Sequence, residues 1–327
     1  MIKYLVRRTI GWLLMIVVAT NLTYFLAWGF LDPRSNYVGR KPPLSPEQID
    51  HLLAPRNLSD TTPLLERWWN WFSGIILRWD WGVSPTGASV NSEVAYRMWV
   101  SAELVFGATV IMTVLGIWLG VYTASRQYKL ADRIGQATSI ITMNINIIVA
   151  ALGVVLLAIN FNQWVGTRVF FVTGSASKDV EGFFPVLIDA LQHLILPTVA
   201  LVIIGYAQLH FLQRSLLLDN IKADYVRTAR AKGLTKEQAI RKHALRTSLI
   251  PVAAQVAFTI PTVFTGAVLT ERIFAWHGMG SYFLETINAN DIHGVVATAA
   301  FGSVLTAIGA LLADVSVVIL DPRVRVS

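Results

Sequence analysis

Apolar residues in this chain come in long runs. They do not follow the period of 2 that marks a half-buried strand, nor the period of 3.6 that marks an amphipathic helix. A helix needs about 20 largely apolar residues to cross roughly 30 Å of hydrocarbon. Six runs meet that length, at about 9–31, 99–124, 134–159, 191–213, 250–270 and 296–320. Two are interrupted: Asn144 and Asn146 fall in the third, and Pro197 falls in the fourth. The pattern predicts an all-α membrane protein with six transmembrane helices. The first run follows Lys3, Arg7 and Arg8, as the core of a secretory signal would. It is too long for that role and no small-x-small cleavage site follows, so it is expected to stay as a helix.

Two polar stretches stand out between the runs. Residues 32–98 open with DPRSNYVGRKPPLSPEQ, which reads as loop with a helix starting after Ser45. RWWNWFSGIILRWDWG follows, with five of the 11 tryptophans: Trp68, Trp69, Trp71, Trp79 and Trp81. Tryptophan favours the headgroup level, ring in the apolar zone and N–H in water. This piece is therefore expected on the outer membrane surface; a cluster that stacks on a ligand is the sharper alternative.

The second stretch is DYVRTARAKGLTKEQAIRKHALRTSLIP, Asp224 to Pro251. Ile221, Tyr225, Val226 and Ala229 fall at helical spacing, with Arg227 and Arg230 between them. Gly233 suits the left-handed position that ends a helix. Thr235 and Gln238 form a capping-box pattern that starts another. Ala239, Ile240, His243 and Ala244 give this second helix an apolar face. Pro251 is placed in the first turn of the fifth span, where proline is tolerated. Two short helices at a glycine corner result. A helix pair touching anionic lipid and a dock for another protein both fit that pattern.

Composition agrees with a membrane protein: 54% of residues are hydrophobic and 14% charged, against about 25% charged in soluble domains. The absence of cysteine excludes disulfides, thiolate metal sites and cysteine nucleophiles. Charge sets the expected orientation. The N-terminus, 125–133, 214–249 and the C-terminus hold 17 Lys/Arg against 5 Asp/Glu, whereas 32–98, 160–190 and 271–295 hold 10 against 13. The positive-inside rule puts the first set, with both termini, in the cytoplasm. The net charge of +7 is then a topology signal, and nucleic acid is not an expected partner. The chain divides into a first helix (1–31), an external Trp-rich insertion (32–98), a five-helix domain (99–320) containing the 219–250 loop, and a tail (321–327).

No G-x-x-x-x-G-K-[ST] loop is present, so ATP hydrolysis is not expected in this chain; nor are the H-E-x-x-H and G-x-S-x-G patterns found. GSAS at 174–177 reads as a turn. Glu103 and Asp314 lie within spans, where carboxylates are costly and often functional. They support an alternative reading, a proton-coupled secondary transporter, although no inverted repeat accompanies them. Asn144 and Asn146 are read as lining a polar translocation path, with interhelical hydrogen bonds as the plainer account. Asn160 and Asn162 pose the same choice.

DYVRTARAKGL followed by RKHALRTSLIPV resembles the cytoplasmic coupling loop of ABC importer permeases, most closely the dipeptide/oligopeptide/nickel branch. Arg227, Thr228 and Ala229 stand where the wider importer loop has Glu-Ala-Ala, as in the peptide branch. LVRRTIGWLLMIVV, RWDWGVSP, SAELVFGATVIMTVLGIWLGVYTA, ERIFAWHGMGSYFLETINANDIHGVV and the DPRVR tail resemble the same family in order along the chain. The resemblance implies a type I ABC importer permease fold in a bacterial plasma membrane, with cytoplasmic coupling helices and an external insertion between the first two spans. It implies a non-catalytic permease subunit. Its partners would be a second homologous permease, two ATPase subunits that bind ATP and Mg, and an extracytoplasmic substrate-binding protein. The ATPase contact would fall on Asp224, Tyr225, Arg227, Ala229, Ala231, Gly233 and Leu234, then on His243, Ala244, Leu245 and Arg246. The binding protein would meet the 271–295 hairpin at Trp276, Gly278 and Gly280, with the tryptophan-rich loop as a second contact. Peptides or peptide-like solutes would be the cargo.

Overall fold

The computed structural model describes residues 2–39, 41–177 and 180–320. Among these, twelve α-helices carry the fold: α1 (Ile2–Phe30), α2 (Pro46–Leu53), α3 (Leu64–Arg78), α4 (Val90–Ser125), α5 (Leu130–Asn144), α6 (Ile147–Val165), α7 (Phe183–Ile221), α8 (Asp224–Ala231), α9 (Lys236–Ala239), α10 (Leu245–Ile273), α11 (Met279–Asn288) and α12 (Ile292–Leu320). The DPRVR tail lies outside the described residues. Among the described residues, six helices are long and apolar enough to cross a membrane, in the segments Val6–Phe30, Val90–Ser125, Ile147–Val165, Phe183–Ile221, Lys236–Pro261 and Ile292–Ile319.

The number of crossings matches the sequence pattern, but boundaries differ: the second crossing helix starts at Val90 rather than 99, and three later places depart further. The expected third span, 134–159, is cut. Ile145 and Asn146 are extended, and Asn146 Oδ1 accepts the Ile148 N–H at 2.8 Å to cap α6. The third crossing is therefore α6, with α5 a separate helix before it. The fourth span is much longer than 191–213. α7 runs unbroken through Pro197 for 39 residues, roughly 58 Å at 1.5 Å per residue. Pro251 does not open the fifth span: it lies inside α10, preceded by one π-turn over Ile240–Ala244 in which Leu245 N–H reaches Ile240 O.

Two compact units emerge, one around Ala102–Trp276 and one from Arg7–Ser101 with His277–Ala307. In the second, α3 lies along α1: Trp71 stacks on Tyr24 at 4.5 Å between ring centroids, and Trp68 Nε1 donates to Asn21 Oδ1 at 2.6 Å. Trp71 Nε1 donates to Trp81 O at 3.2 Å. Trp71 is buried and Trp68 half-buried, and the indole N–H of each bonds to protein, where the belt reading expected it in water. Trp69 and Trp79 remain exposed. The expected helix after Ser45 is α2, with a complete Ser45/Gln48 capping box.

Candidate functional site

The basic stretch forms an elbow. α8 ends in a Schellman motif: Gly233 N–H reaches Arg230 O at 3.0 Å and Leu234 N–H reaches Ala229 O at 3.3 Å, which satisfies two carbonyls at the helix end. Gly233 has φ +96°, a conformation that costs a residue with a Cβ about 1–2 kcal/mol. Thr235 then caps α9 through a full box with Gln238. Val226, Ala229, Ala239, Ile240 and Ala244 pack with Leu217 of α7 and Ala124 of α4. Asp224, Tyr225, Arg227, Ala231 and Arg246 are on the exposed side. Helical periodicity therefore sorts the elbow into an apolar seat and a charged outer surface.

The helices under the elbow are locked by a polar ladder. On α5, Asp132, Ser139 and Thr142 share a face; on α7, Tyr206, His210 and Arg214 face them. Arg214 binds Asp132 through both oxygens, at 2.8 and 2.9 Å. That guanidinium holds the Asp132 carboxyl below the usual carboxylate range, helped by the Tyr128 N–H. His210 is fully buried, with Nδ1 2.7 Å from Ser139 Oγ and Nε2 2.9 Å from Thr123 Oγ1. The Thr123 hydroxyl also lies 2.8 Å from Leu119 O. One tautomer satisfies all three: Thr123 donates to Leu119 O, Nε2–H donates to Thr123, and Ser139 donates to Nδ1. Thr142 Oγ1 donates to Tyr206 Oη at 3.2 Å. Gln213 Nε2 donates to Ser248 Oγ at 2.9 Å, tying α7 to α10.

α4 comes close to α7 at two glycines. A Cβ on Gly116 would lie 2.8 Å from Tyr206 O, and one on Gly120 would lie 3.0 Å from His210 O. Small residues that let backbones approach are the usual packing device of membrane helices.

In the other unit, the 32–98 insertion is knit to the 277–295 segment. Asp32 N–H donates to Asn290 Oδ1 at 3.0 Å, Asn36 Nδ2 to Ala289 O at 2.6 Å, and His293 Nδ1 to Val83 O at 3.0 Å. Arg97 bridges Glu93 and Glu285, each at 2.8 Å, and lies 4.7 Å from the Tyr282 ring centre. These groups line a cavity of about 180 Å³ that also includes Asp291. Burial pushes the Asp291 carboxyl up to about 6, against the N–H of Gly294 that it accepts at 3.0 Å.

The family model described as binding-protein-dependent transport system inner membrane component matches residues 116–326, and the N-terminal model of the same system matches residues 1–92. The chain belongs to this family. This transport component is 38% identical, over the whole of both chains, to the oligopeptide transport system permease protein OppB of Mycobacterium tuberculosis. It is 31% identical to the dipeptide transport system permease protein DppB of Bacillus subtilis, over 99% of this chain and 98% of that one. A solved structure of the MetNI methionine ABC transporter covers 70% of this chain and 96% of its own, with a TM-score of 0.51 at 17% identity. That likeness carries the fold, a type I ABC importer permease, and not the cargo. The family favours the importer reading over a proton-coupled one. Glu103 is exposed on α4 and Asp314 half-buried on α12.

Several expected positions in this permease fall elsewhere than a surface. Trp276 is 1% exposed, and Gly278 and Gly280 are buried. Met279 N–H between the glycines donates to Ser101 Oγ at 2.7 Å. Ala229 and Ala244 likewise belong to the seat of the elbow, and Leu234, His243 and Leu245 are half-buried beside it. Asn144 and Asn146 are exposed at the α5–α6 break, Asn144 Nδ2 donating to Ile140 O at 2.7 Å. Asn162 pins the following loop, accepting from the Val169 and Phe170 N–H groups and donating to Phe170 O. The ladder of Asp132, His210 and Arg214 was not anticipated. Its residues lie about 80 positions apart, although the i, i+4 pair His210–Arg214, just beyond the apolar stretch 194–205 of α7, was a visible signal.

Proposed function

We propose that the chain is the permease subunit of an ATP-driven importer of peptides or peptide-like solutes, lining half of the translocation path. A second, similar permease completes the path. Two ATPase subunits dock on the cytoplasmic side, and an extracytoplasmic binding protein delivers cargo on the other. The observation that carries this reading is the elbow, with an apolar seat on α4 and α7 and a charged outer surface held by a helix cap at each side of Gly233. Asp224, Tyr225, Arg227, Ala231 and Arg246 are the residues assigned to the ATPase contact; Ala229, Gly233, Leu234, His243, Ala244 and Leu245 shape and seat it. Peptide cargo is supported by the names of the relatives. Both termini face the cytoplasm on this reading, in keeping with the loop charges.

An ATPase subunit that favours one conformation of the elbow shifts the permease toward that state, in proportion to its difference in affinity for the two. The ladder between α5 and α7 gives the elbow a stiff base through which such a shift can travel. Asn144 and Asn146, at the break that follows α5, are assigned to the lining of the path.

The test is affinity purification of the tagged chain in mild detergent, with ATPase assay of what accompanies it, for wild type and Gly233→Pro. Proline cannot adopt φ +96° and removes the N–H given to Arg230. An ATPase that co-purifies with wild type, and is lost or no longer stimulated with the variant, supports the reading. A chain that purifies alone and transports in vesicles without ATP overturns it.

A further inference from the structure

α3 is divided into three lengthwise faces. Positions 67, 71, 74 and 75 turn inward toward α1 and the insertion, with Arg67, Trp71 and Gly74 buried. A second row, Glu66, Asn70 and Ser73, is polar. The third row, Leu65, Trp69, Phe72 and Ile76, follows the i, i+4, i+7, i+11 spacing of one helix face. Leu65 is 70% exposed, Trp69 58% and Ile76 64%. A helix packed on protein alone needs two faces, one inward and one wet; the third here is apolar and uncovered at Leu65, Trp69 and Ile76, with Phe72 half-buried against the core beside Trp68.

Its surroundings indicate what covers it. α1 belongs to a membrane-crossing segment that ends at Phe30. Trp68 bonds to Asn21, nine residues below that end and therefore roughly 13 Å down the helix. Phe25 stacks on Trp68 at 6.0 Å, and Trp68 stacks on Phe72 at 5.5 Å. This row of rings joins the exposed apolar side of α1, with Leu22 and Leu26, to the third face of α3 without a polar break. Trp79 sits at the C-terminal end of α3 in the left-handed conformation, exposed, with Asp80 after it, a placement suited to the headgroup level. Leu77 departs from the division, lying in the polar row, and Leu64 and Arg78, on the inward face at the two ends of the helix, are exposed.

We infer that α3 is a membrane-embedded amphipathic helix, half-sunk in the leaflet where α1 ends. Leu65, Trp69 and Ile76 lie among acyl chains, with Phe72 at the seam between lipid and the core, and Glu66, Asn70 and Ser73 face water. The insertion is then anchored to lipid beside the first span rather than standing free of the bilayer. The inference rests on the membrane-spanning fold and not on the cargo or the ATPase partner.

The chain has no cysteine, so single-cysteine variants label without background. The series is Leu65→Cys, Trp69→Cys and Ile76→Cys against Glu66→Cys, Asn70→Cys and Ser73→Cys. Each full-length chain carries a nitroxide, with any subunits that co-purify, in nanodiscs of phosphatidylethanolamine and phosphatidylglycerol. Collision with oxygen, which concentrates among acyl chains, is compared with collision with a water-soluble nickel chelate. The oxygen-to-nickel ratio is expected to be several-fold higher at 65, 69 and 76 than at 66, 70 and 73. Equal ratios in the two rows overturn the inference in favour of a solvated helix. Exclusion of both agents from 65, 69 and 76 overturns it in favour of a protein partner on that face.

Discussion

Gly233 and Asp132 show how single residues hold this permease. Gly233 has open space around its missing Cβ, so Gly233→Ala meets no clash and suffers only from φ +96°. The expected loss is about 1 kcal/mol or slightly more, seen as a small fall in melting temperature in detergent, together with weakened ATPase stimulation. Asp132→Asn leaves the Arg214 guanidinium without its carboxylate and is expected to cost about 3 kcal/mol. The sign of its pH dependence follows from the lowered carboxyl value. The folded state binds the proton less readily than the unfolded chain. The stabilisation is complete above the ordinary value of 3.8 and is lost as pH falls through the lowered one. Melting curves of wild type should therefore fall more steeply below pH 4 than those of the Asn variant. The glycine was legible in the sequence because its role is local. The ion pair was not, because Asp132 and Arg214 meet only through the packing of α5 on α7.

At the scale of elements, α4 and α7 are held close by the absence of side chains at Gly116 and Gly120. Gly116→Ala would place a Cβ 2.7 Å from Leu209 Cβ and 2.8 Å from Tyr206 O. Because a backbone atom is among the obstacles, the helices must part, at about 1–3 kcal/mol; thermal melting and a lower yield of folded protein report it. Asp291, at the start of α12, behaves oppositely to Asp132. Its carboxyl is raised to about 6 by burial, so the folded state holds a proton that the unfolded chain releases from about pH 4 upward. Stability should decline as pH rises through that window, and Asp291→Asn should flatten the decline. The helices themselves were mostly legible from apolar runs and caps. The break at Asn146 was misjudged because an asparagine inside an apolar run looks the same whether it bonds to a neighbouring helix or caps the next one.

For the whole molecule, the six crossings and the loop charges predict both termini on one side of the membrane. Reporter fusions active only in the cytoplasm should be active at each end and inactive when inserted in the 54–62 region of the insertion. Opposite results at the two ends would require an odd number of crossings. The elbow makes a second prediction at this scale. Arg227→Glu changes an exposed charge, and the pair that arginine makes with Asp224 is long, at 3.6 Å, and solvated. Such a pair adds little stability, so the melting temperature should hold while ATPase co-purification falls.

The sequence by itself determined the number of crossings, the two helices at a glycine corner and the family. Each rests on short-range physics: the length of an apolar run, a φ only glycine takes easily, a cap three residues away, a motif read in order. Tertiary structure alone decided which residues are surface. Trp276, Gly278, Gly280, Ala229 and Ala244 stand in segments that read as contact sites, and each is buried. It also decided that Trp68 and Trp71 turn toward α1, and that His210, Ser139 and Thr123 share one hydrogen-bonded cluster. Burial and long-range pairing depend on which helix faces come together, and apolar runs too uniform to mark a preferred face carry almost no record of that choice.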